Sequence, residues 1–188
     1  MNRSALKVGD TYIMQIGNIT NNNSESGDAP TAIDAGDFRA VMRQLVGSVA
    51  VITTEGDGVF YGFTATAVCS VCAAPPTILI VVNKSARTHP HIDRKGVYVV
   101  NILANDQKDI AQHFATKGDD QFSSVSYSLS KQGVPVLQGV AAHLECEIKN
   151  RIPIGTHTIF VGEVIGTSVE PRAPLVYHDA QYGLVSHI

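Results

Sequence analysis

The feature that most constrains the fold is a succession of short, β-branched runs separated by turn signals. Val49–Thr54 is such a run, and the Glu55–Gly58 turn after it carries glycines available for positive φ. His143–Ile154 alternates apolar with polar residues, and Thr77–Asn83 is apolar almost throughout, so both of its faces are expected to be covered. Six or seven strands of this kind, mostly joined as hairpins, predict a mainly β chain whose antiparallel sheet closes into a barrel.

Two or three short helices are predicted beside the strands. Apolar residues recur at helical spacing between positions 38 and 46, after an aspartate cap at position 34 or 37 and before Gly47. Thr88 is positioned to cap a second helix that Gly96 ends, and Asp106 is positioned to cap a third. The segment Thr116–Gln138 is predicted to be mostly loop, and a loop of this length often faces a ligand.

Composition divides the chain into an arm and one domain. Residues 1–33 include the polar run Asn18–Asp28 and are predicted to be an arm with a flexible linker, whereas residues 34–188 form a domain with its own core. With 14 basic and 17 acidic residues and no basic patch, the chain is not expected to bind nucleic acid. No apolar run approaches the ~20 residues of a membrane span. The N-terminus shows no signal pattern, so we expect a cytoplasmic protein without a membrane partner.

The three cysteines predict buried thiols rather than a disulfide or a metal site. Cys69, Cys72 and Cys146 are an odd count in apolar surroundings, which fits reduced core residues. Because residues three apart in a regular strand face opposite sides, Cys69 and Cys72 are not expected to converge. His89 and His91 lack a nearby carboxylate cluster, so no metal is predicted.

The stretch Gly62–Val71 is where we place the centre of the binding site. Thr64, Thr66 and Ser70 fall at even spacing, so one extended strand would direct all three hydroxyls to the same face. With Ala65 between them, such a strand lets a flat polar ligand approach the backbone and receive N–H and O–H donors. An ordinary barrel strand with one solvent-facing hydroxyl stripe accounts for the same pattern.

The loop Lys84–Thr88 has the composition of a phosphate site. It offers two cations, hydroxyl groups and the N-terminal amides of the helix that follows. A solvated loop that only caps the helix accounts for the same residues. Neither the dinucleotide-binding glycine pattern nor the P-loop pattern is present, so any nucleotide is expected to be bound by a different fold.

His157 lies at the mouth of a predicted hairpin. The turn residues Gly155 and Thr156 would hold its imidazole near the barrel rim, where it can hydrogen-bond a carboxamide or donate a proton near neutral pH. A surface histidine in a strand is the alternative. Neither a hydrolase elbow nor a pair of carboxylates in apolar surroundings is found, so an enzyme of this sequence is expected to rely on a cofactor for its chemistry.

Several linked motifs resemble those of a known family. They are, in chain order, Phe38, Val41 and Leu45 followed by Gly47–Thr54, Gly62–Ala67, Ser70–Val71, Pro75–Pro76, Asn83–Thr88, Val100–Leu103 with Gln107, Gly155–Val164, Pro174–Tyr177 and Tyr182. Together they closely resemble the short-chain flavin reductases, the small components of two-component aromatic monooxygenases of the hydroxyphenylacetate and chlorophenol type. The resemblance covers roughly residues 37 to 185.

The resemblance implies a split antiparallel β-barrel with a few short helices, usually a homodimer. It further implies that NADH reduces bound FAD, or FMN, by hydride transfer, and that the reduced flavin leaves for a separate oxygenase. Carried over by position, Thr64, Ala65 and Thr66 would lie along the flavin ring and ribityl chain, with Ser70 near the ring edge. The phosphates would be held by Asn83, Lys84, Ser85 and Thr88, with Asn101 nearby as a further cofactor-binding residue. His157 would lie where the nicotinamide stacks, with Tyr182 close to it. His157 is the residue expected to orient the hydride donor, and the backbone amides of residues 64–66 would stabilise negative charge on the flavin.

Two other functions stay open. A flavin-binding barrel without reductase activity would share the fold, although it has no need of His157 beside a shallow rim of small residues. A flavoprotein of the pyridoxamine-phosphate-oxidase type would use a related barrel, but its several phosphate-binding arginines have few candidates here. FAD is expected over FMN by resemblance, and NADH over NADPH because no arginine pair for a 2′-phosphate is evident.

Overall fold

The computed structural model describes residues 33–116, 118 and 120–186. Apart from residue 33, the predicted arm lies outside the described residues. Residues 35–188 form one compact unit. Within the described ranges, no helix is both long and apolar enough to cross a bilayer.

The described part of the chain contains three short helices and twelve strands. The helices are α1 (Ala35–Met42), α2 (His89–Lys95) and α3 (Lys108–Ala115). The strands are β1 (Gly47–Ser48), β2 (Ala50–Gly56), β3 (Val59–Ala65), β4 (Val68–Ala73), β5 (Pro76–Asn83), β6 (Val97–Ile102), β7 (Tyr127–Leu129), β8 (Pro135–Leu137), β9 (Ala142–Ile154), β10 (His157–Val169), β11 (Leu175–His178) and β12 (Gln181–Leu184). The predicted mainly β class with a few short helices is confirmed.

Seven strands form one antiparallel sheet in the order β3-β2-β6-β9-β10-β5-β4. Its two edge strands, β3 and β4, are consecutive in the chain and only Thr66 and Ala67 separate them. Three peptide steps span at most about 11 Å, whereas a flat sheet of this size would be about 29 Å wide. The sheet must therefore curl until its two edges meet at Thr66 and Ala67.

The curled ladder stays open where its edges meet. Among the described residues no ladder pairs β3 with β4, and the Val81 N–H donates instead to the Ala67 carbonyl across 3.2 Å. The expectation of a sheet that closes fully into a barrel is therefore wrong, because Thr66 and Ala67 turn the chain before β3 can pair with β4. Two smaller antiparallel sheets, β1-β11-β12 and β7-β8, lie beside the large one.

An inner hydrophobic cluster lies inside the curl. Ile52, Tyr98 and Phe160 are fully buried there, and the cluster draws its residues from β2, β5, β6, β9, β10 and helix α2. Phe63 on one edge strand and Val68 on the other pack against this same cluster. Burial of each large apolar side chain contributes roughly 1.5–3 kcal/mol, so the cluster stabilises the curled form of the sheet.

An outer cluster fills the space between the sheet and α3. Val51 of β2 packs here with Phe114 of α3, Phe122 and Leu137. The last two belong to the segment predicted as a long ligand-facing loop, which in fact contains β7 and β8. The rest of its described part is loop, as predicted, and the two strands were missed because three residues are too short to show a periodic pattern.

The β2–β3 hairpin and α2 follow their sequence signals. Asp57 and Gly58 have φ of 54° and 79° and form the hairpin turn. Gly96 ends α2 with φ of 72°, as predicted. Thr88 stands at the N-cap of α2, although its side chain makes no capping hydrogen bond.

Helix α3 begins differently from the prediction. Gln107 rather than Asp106 stands at its N-cap. The Asp106 carboxylate instead pairs with the Arg172 guanidinium, which removes it from the helix terminus. Gln107 Oε1 accepts a hydrogen bond from the Ala104 N–H across 3.0 Å, so a glutamine side chain shapes the turn before the helix.

Two apolar surfaces lack cover within the described residues. Helix α1 ends at Met42, short of the predicted end at Gly47, and none of its residues is buried. Its Phe38 and Val41 are 52% and 69% exposed. On β5 alternate residues are buried, whereas Leu79 and Val81 are half-buried. In a single chain the expectation that both faces of β5 are covered is therefore wrong, because no described element packs over the face that carries Leu79 and Val81.

Only one of the three cysteines is a core residue. Cys146 is fully buried, and burial raises the pKa of its thiol to about 12, so the thiol stays protonated. Its neighbour Tyr98 is also fully buried, and burial raises the pKa of the phenol above its ordinary value. Cys69 and Cys72 are exposed on β4. Their predicted burial is wrong because β4 is an edge strand.

One ion pair makes stability depend on pH. The Lys95 ammonium donates to the Glu55 carboxylate across 2.5 Å, and the Gly58 N–H donates to it across 2.7 Å. These two bonds lower the pKa of Glu55 below its ordinary value. A lowered carboxyl pKa stabilises the folded state above the unfolded-state pKa, and this contribution is lost as the pH falls through the folded-state pKa.

Glu55→Gln is expected to lower the free energy of unfolding by about 0.5 kcal/mol at neutral pH. In acid below the folded-state pKa of Glu55, the variant and the wild type are expected to be equally stable. Urea unfolding at the two pH values measures the difference. Arg94→Gln, which removes an exposed pair with Asp57, is the control and should change little at either pH. An equal loss at both pH values would contradict this account of Glu55.

Candidate functional site

Three cavities adjoin one another around β3 and the turn at Thr66 and Ala67 that follows it. The inner cavity, of about 220 Å³, is lined by Val49, Thr64, Ala65, Thr66, Ala115, Tyr177 and Tyr182. The loop groove, of about 550 Å³, lies between Tyr61–Phe63, the loop 85–88 and α3. The helix groove, of about 790 Å³, lies between α1, β1 and the residues 66–68. Ala115 lines the first two, and Thr66 and Tyr177 line both the inner cavity and the helix groove, so these three residues connect the cavities.

The close approach of α3 to β3 fixes the floor of the loop groove. A Cβ atom at Gly62 would lie 2.6 Å from Cε1 of Phe114, so no side chain fits at this position. Two residues along the strand, Thr64 Oγ1 donates to the Ala111 carbonyl of α3 across 2.6 Å. The glycine and the threonine therefore position the helix as well as line a cavity.

The inner cavity brings together three of the predicted flavin contacts and Tyr182, a residue predicted to lie near the nicotinamide. Thr64, Ala65 and Thr66 form one side, and Tyr182 approaches from β12. The Tyr182 ring lies edge-to-face with Tyr177, with ring centroids 5.2 Å apart. Desolvation and the neighbouring Tyr177 raise the pKa of Tyr182, so its hydroxyl remains a hydrogen-bond donor at neutral pH.

The loop after β5 is shaped by its own first residue. Asn83 Oδ1 accepts hydrogen bonds from the Ser85 N–H at 2.9 Å and from Ser85 Oγ at 2.8 Å. Lys84 Nζ donates to the Gly155 carbonyl across 2.8 Å, and the Lys84 N–H donates to the Thr156 carbonyl across 2.9 Å. These bonds hold the loop against the β9–β10 turn, and Ser85 lines the loop groove.

His157 lies at the same end of the sheet, at the turn where it was predicted. It pairs with Asn83 across β10 and β5, and its Nδ1 lies 2.9 Å from Thr156 Oγ1. The structure thus brings Asn83, Lys84 and His157 together. His157 lines none of the three cavities, whereas Tyr182 lines the inner cavity, so the two predicted nicotinamide contacts do not share a cavity in the described chain.

The aromatic side of the loop groove was missed from sequence. Arg87 places its guanidinium carbon 5.3 Å from the centroid of the Tyr61 ring, and its Nη1 donates to the Gly118 carbonyl across 2.8 Å. Tyr61 also stacks on His91, with centroids 3.7 Å apart and planes 10° from parallel. Desolvation lowers the pKa of His91, so the stacked imidazole stays neutral near pH 7. The available signal was the position of Tyr61, directly before the Gly62–Val71 stretch.

Ser70 does not share a face with the threonines. Thr64 pairs with Val51, which belongs to the outer cluster, whereas Ser70 pairs with Ile78, which belongs to the inner cluster. Since cross-strand partners point to the same face, Thr64 and Ser70 face opposite sides of the curled sheet. The predicted single hydroxyl face is therefore wrong, because the chain changes strand and sheet edge at Thr66.

Asn101 is a core residue rather than a surface donor. Its side chain is fully buried, and its Nδ2 donates to the Val51 carbonyl at 3.0 Å and to Thr53 Oγ1 at 3.1 Å. Its Oδ1 accepts from the Leu137 N–H across 2.9 Å. The prediction of Asn101 as a cofactor-binding residue is wrong, because its polar atoms are buried and used to join β2 and β8. Thr88 is 3% exposed but lines the loop groove, so its phosphate contact stays a prediction.

Cations and hydroxyl groups surround the grooves. Ser85 and Arg87 line the loop groove, and none of the described residues that line it is acidic. Arg39 and Arg43 of the α1 region line the helix groove. This donor set suits phosphate groups. Among the described residues no group of three or more potential metal ligands is found.

The chain matches the family model of the flavin reductase like domain over residues 42–186. It is 36% identical over 151 residues to the reductase component of 4-nitrophenol 4-monooxygenase/4-nitrocatechol 2-monooxygenase of Rhodococcus opacus, covering 80% of this chain and 81% of the relative. It is 39% identical over 149 residues to the FMN reductase (NADH) RutF of Stutzerimonas stutzeri, covering 78% of this chain and 86% of the relative.

Solved structures give the same result. The NADH:FAD oxidoreductase SgcE6 of Streptomyces globisporus, in complex with NAD and FAD fragments, matches with a TM-score of 0.78 and 34% identity, over 81% of this chain and 93% of that one. The flavin reductase PheA2 matches with a TM-score of 0.76 and 30% identity, over 82% of this chain and 100% of that one. The family match contains every strand from β1 to β12. The chain therefore belongs to the family of flavin reductase like domains.

Proposed function

We propose that this chain is an NADH-dependent flavin reductase that supplies reduced flavin to a separate oxygenase acting on aromatic compounds. The observation that carries the proposal is the inner cavity at Thr64–Thr66 beside a groove bordered by the loop Asn83–Thr88. The names of two relatives support it, since one is the reductase component of a nitrophenol monooxygenase and the other is an NADH-dependent FMN reductase.

The residues around the cavities fit a flavin. A flat ring system needs a wall of small side chains with donors along it, and Thr64–Thr66 on an edge strand offers this wall. Because β2 is the only described strand that pairs with β3, the N–H groups on the other side of β3 are not used by this ladder. A phosphate-bearing tail needs cations and hydroxyls, and Ser85 and Arg87 line the adjoining groove.

In this reaction the backbone of residues 64–66, the side chains of Lys84 and Ser85, and His157 each have a separate task. When bound, the flavin accepts a hydride from the nicotinamide and so supplies the redox chemistry. The backbone amides along residues 64–66 stabilise negative charge on the ring. Lys84 and Ser85 hold the phosphates, and His157 orients the hydride donor. Catalysis by this chain is thus a matter of positioning and of excluding water.

We propose FAD as the preferred flavin and FMN as a second substrate. FAD carries an adenosine monophosphate half that FMN lacks, and this half needs space beyond the inner cavity. The loop groove of about 550 Å³ adjoins that cavity and offers this space. Competition between the two flavins for the apoprotein tests this choice, and equal affinities would contradict it.

We propose that the curled sheet is a split barrel. The two-residue connection at Thr66 and Ala67 supports this architecture, since it brings the edge strands together without pairing them. The packing of Phe63 and Val68 against one shared cluster supports it as well.

We propose a homodimer whose interface includes α1, with a second copy of the chain as the occupant of its apolar face. Phe38, Val41, Leu45 and Val46 are each more than half exposed in one chain, at 52%, 69%, 63% and 63%. Sedimentation velocity should give a dimer for the wild type and a monomer for Val41→Glu/Leu45→Glu. Val59→Glu on the β2–β3 hairpin should remain dimeric, and a monomeric wild type would overturn the proposal.

Lys84→Ala is expected to raise the flavin Kd about fivefold to tenfold, because it removes a charge-assisted hydrogen bond to a phosphate. Quenching of flavin fluorescence measures the Kd. Lys84→Arg should recover part of the affinity, and Lys131→Ala, in the β7–β8 loop, should bind like the wild type. An unchanged Kd for Lys84→Ala would remove Lys84 from the site.

The function itself is tested by NADH oxidation in air with added FAD or FMN. The rate should saturate with flavin and rise in proportion to protein concentration, and NADPH should be a poorer donor. Tight flavin binding without NADH oxidation would instead identify a non-catalytic binding protein. Oxidation of pyridoxamine phosphate without NADH would identify an oxidase.

A further inference from the structure

Strand β4 carries an irregularity that changes where its cysteines point. Cys69 pairs with Leu79 and Cys72 pairs with Thr77, and the register shifts between Ser70 and Cys72. One residue on β4 is therefore extra relative to β5, which is the pattern of a β-bulge.

The bulge brings Cys69 and Cys72 onto one face of the sheet. Thr77 and Leu79 are two residues apart on β5 and point to the same face, and cross-strand partners share a face. The expectation that the two thiols face opposite sides, which holds for a regular strand, is therefore wrong. The β5 partners of the two cysteines, Leu79 and Thr77, are two residues apart, which corresponds to about 6.7 Å along a strand. For comparison, the two Cα atoms of a disulfide are up to about 6.8 Å apart.

Both thiols are accessible in the chain. Cys69 and Cys72 are exposed, and β4 is an edge strand that can adjust its backbone on one side. Their hydrogen bonds are local, from Cys69 Sγ to the Ser70 carbonyl at 3.3 Å and from Cys72 Sγ to the Pro75 carbonyl at 3.1 Å. Cys146, in contrast, is fully buried.

We propose that Cys69 and Cys72 form a dithiol site that hydrogen peroxide oxidises to an intrachain disulfide. One thiolate attacks a peroxide oxygen and the O–O bond breaks, which leaves a sulfenic acid and, after proton transfer, one water. The other thiol attacks the sulfenic sulfur, the S–S bond forms as the S–O bond breaks, and a second water leaves. The peroxide takes up two electrons, and both thiol protons end in the two waters.

The oxidant is one that the proposed reaction itself generates. Free reduced flavin reacts with dioxygen to give hydrogen peroxide, so a flavin reductase working without its oxygenase would expose β4 to this compound. That source rests on the proposed function. The site rests only on the register and exposure of β4, so its test uses neither flavin nor NADH.

Two measurements on the full chain test the site. Reduced protein is treated with a molar excess of hydrogen peroxide, alkylated, digested and analysed by mass. The peptide that contains both Cys69 and Cys72 should be lighter by two hydrogen atoms, unalkylated, and restored by reductant. Separately, phenylarsine oxide, whose arsenic bridges two close thiols, should be retained at one equivalent per reduced wild-type chain.

Single variants provide the controls. Cys69→Ser and Cys72→Ser each keep one exposed thiol and Cys146, and both should lose the disulfide and the retained arsenical while folding like the wild type. The proposal is overturned if the wild type retains no arsenical. It is also overturned if peroxide yields only sulfinic or sulfonic acids, links two chains, or engages Cys146.

Discussion

A chain carrying Gly62→Val is expected to have a free energy of unfolding about 3 kcal/mol below that of the wild type. A Cβ atom at position 62 would lie 2.6 Å from Cε1 and 2.7 Å from Cδ1 of Phe114. Phe114 is 2% exposed and packs edge-to-face on Phe122, with centroids 5.2 Å apart, so its ring has no free space to enter. The added side chain must therefore push α3 away from β3.

Denaturant unfolding measures this loss, and two further variants identify its cause. Gly183→Ala is the matched control, because its Cβ would meet its nearest neighbour, Val176, at an ordinary 3.5 Å. It should change stability by less than about 0.5 kcal/mol. Phe114→Leu combined with Gly62→Val should lose less than the sum of the two single variants, since both changes act on one contact. Wild-type stability of Gly62→Val would contradict the described packing of α3.

His157→Ala is expected to raise the KM for NADH at least about tenfold, because it removes a hydrogen bond to the nicotinamide carboxamide or to a charged part of the dinucleotide. The flavin Kd should change less than about twofold. His157 pairs with Asn83 at the end of β5, beside Lys84, but contributes to no wall of the inner cavity. Its removal should therefore leave the flavin contacts intact.

Steady-state kinetics with varied NADH and a separate flavin titration give the two values. His157→Asn, whose amide can still donate a hydrogen bond, should recover part of the NADH affinity. Loss of flavin binding with unchanged NADH kinetics would show that His157 belongs to the flavin site and would contradict its assignment as the residue that orients the dinucleotide.

Local signals predicted the regular parts of the fold. Asp57 and Gly58 form the expected turn, Gly96 ends α2, and the alternation in His143–Ile154 corresponds to β9. These features depend on residues close together in the chain, so turn chemistry and periodicity were enough to find them.

The features that sequence missed depend on distant partners. The change of strand at Thr66 and the bulge on β4 have no turn residue to mark them, since small polar residues fit a strand as well as a bend. Asn101 is a polar residue of the kind expected to donate hydrogen bonds at the surface. Its side-chain amide instead forms hydrogen bonds with Val51, Thr53 and Leu137, which lie between 36 and 50 positions away. No local pattern reports such burial.

The sequence predicted the separate segments of the candidate site but not their arrangement in space. Thr64–Thr66, the Asn83–Thr88 loop and Tyr182 lie on the cavities or on the loop that borders them, whereas Ser70 lies on the opposite face of the sheet. Tyr61 was identified as a lining residue only from the structure. Its contacts with Arg87 and His91 join β3 to a loop and a helix almost 30 residues further along the chain.

The measurement that tests the central claim most directly is anaerobic mixing of the purified chain with FAD and NADH. The account predicts that the visible absorbance of the flavin is bleached, with one NADH consumed per flavin and at a rate that is proportional to protein concentration. Admission of air should restore the colour. Flavin that stays oxidised beside intact NADH, in a folded chain, would contradict the account.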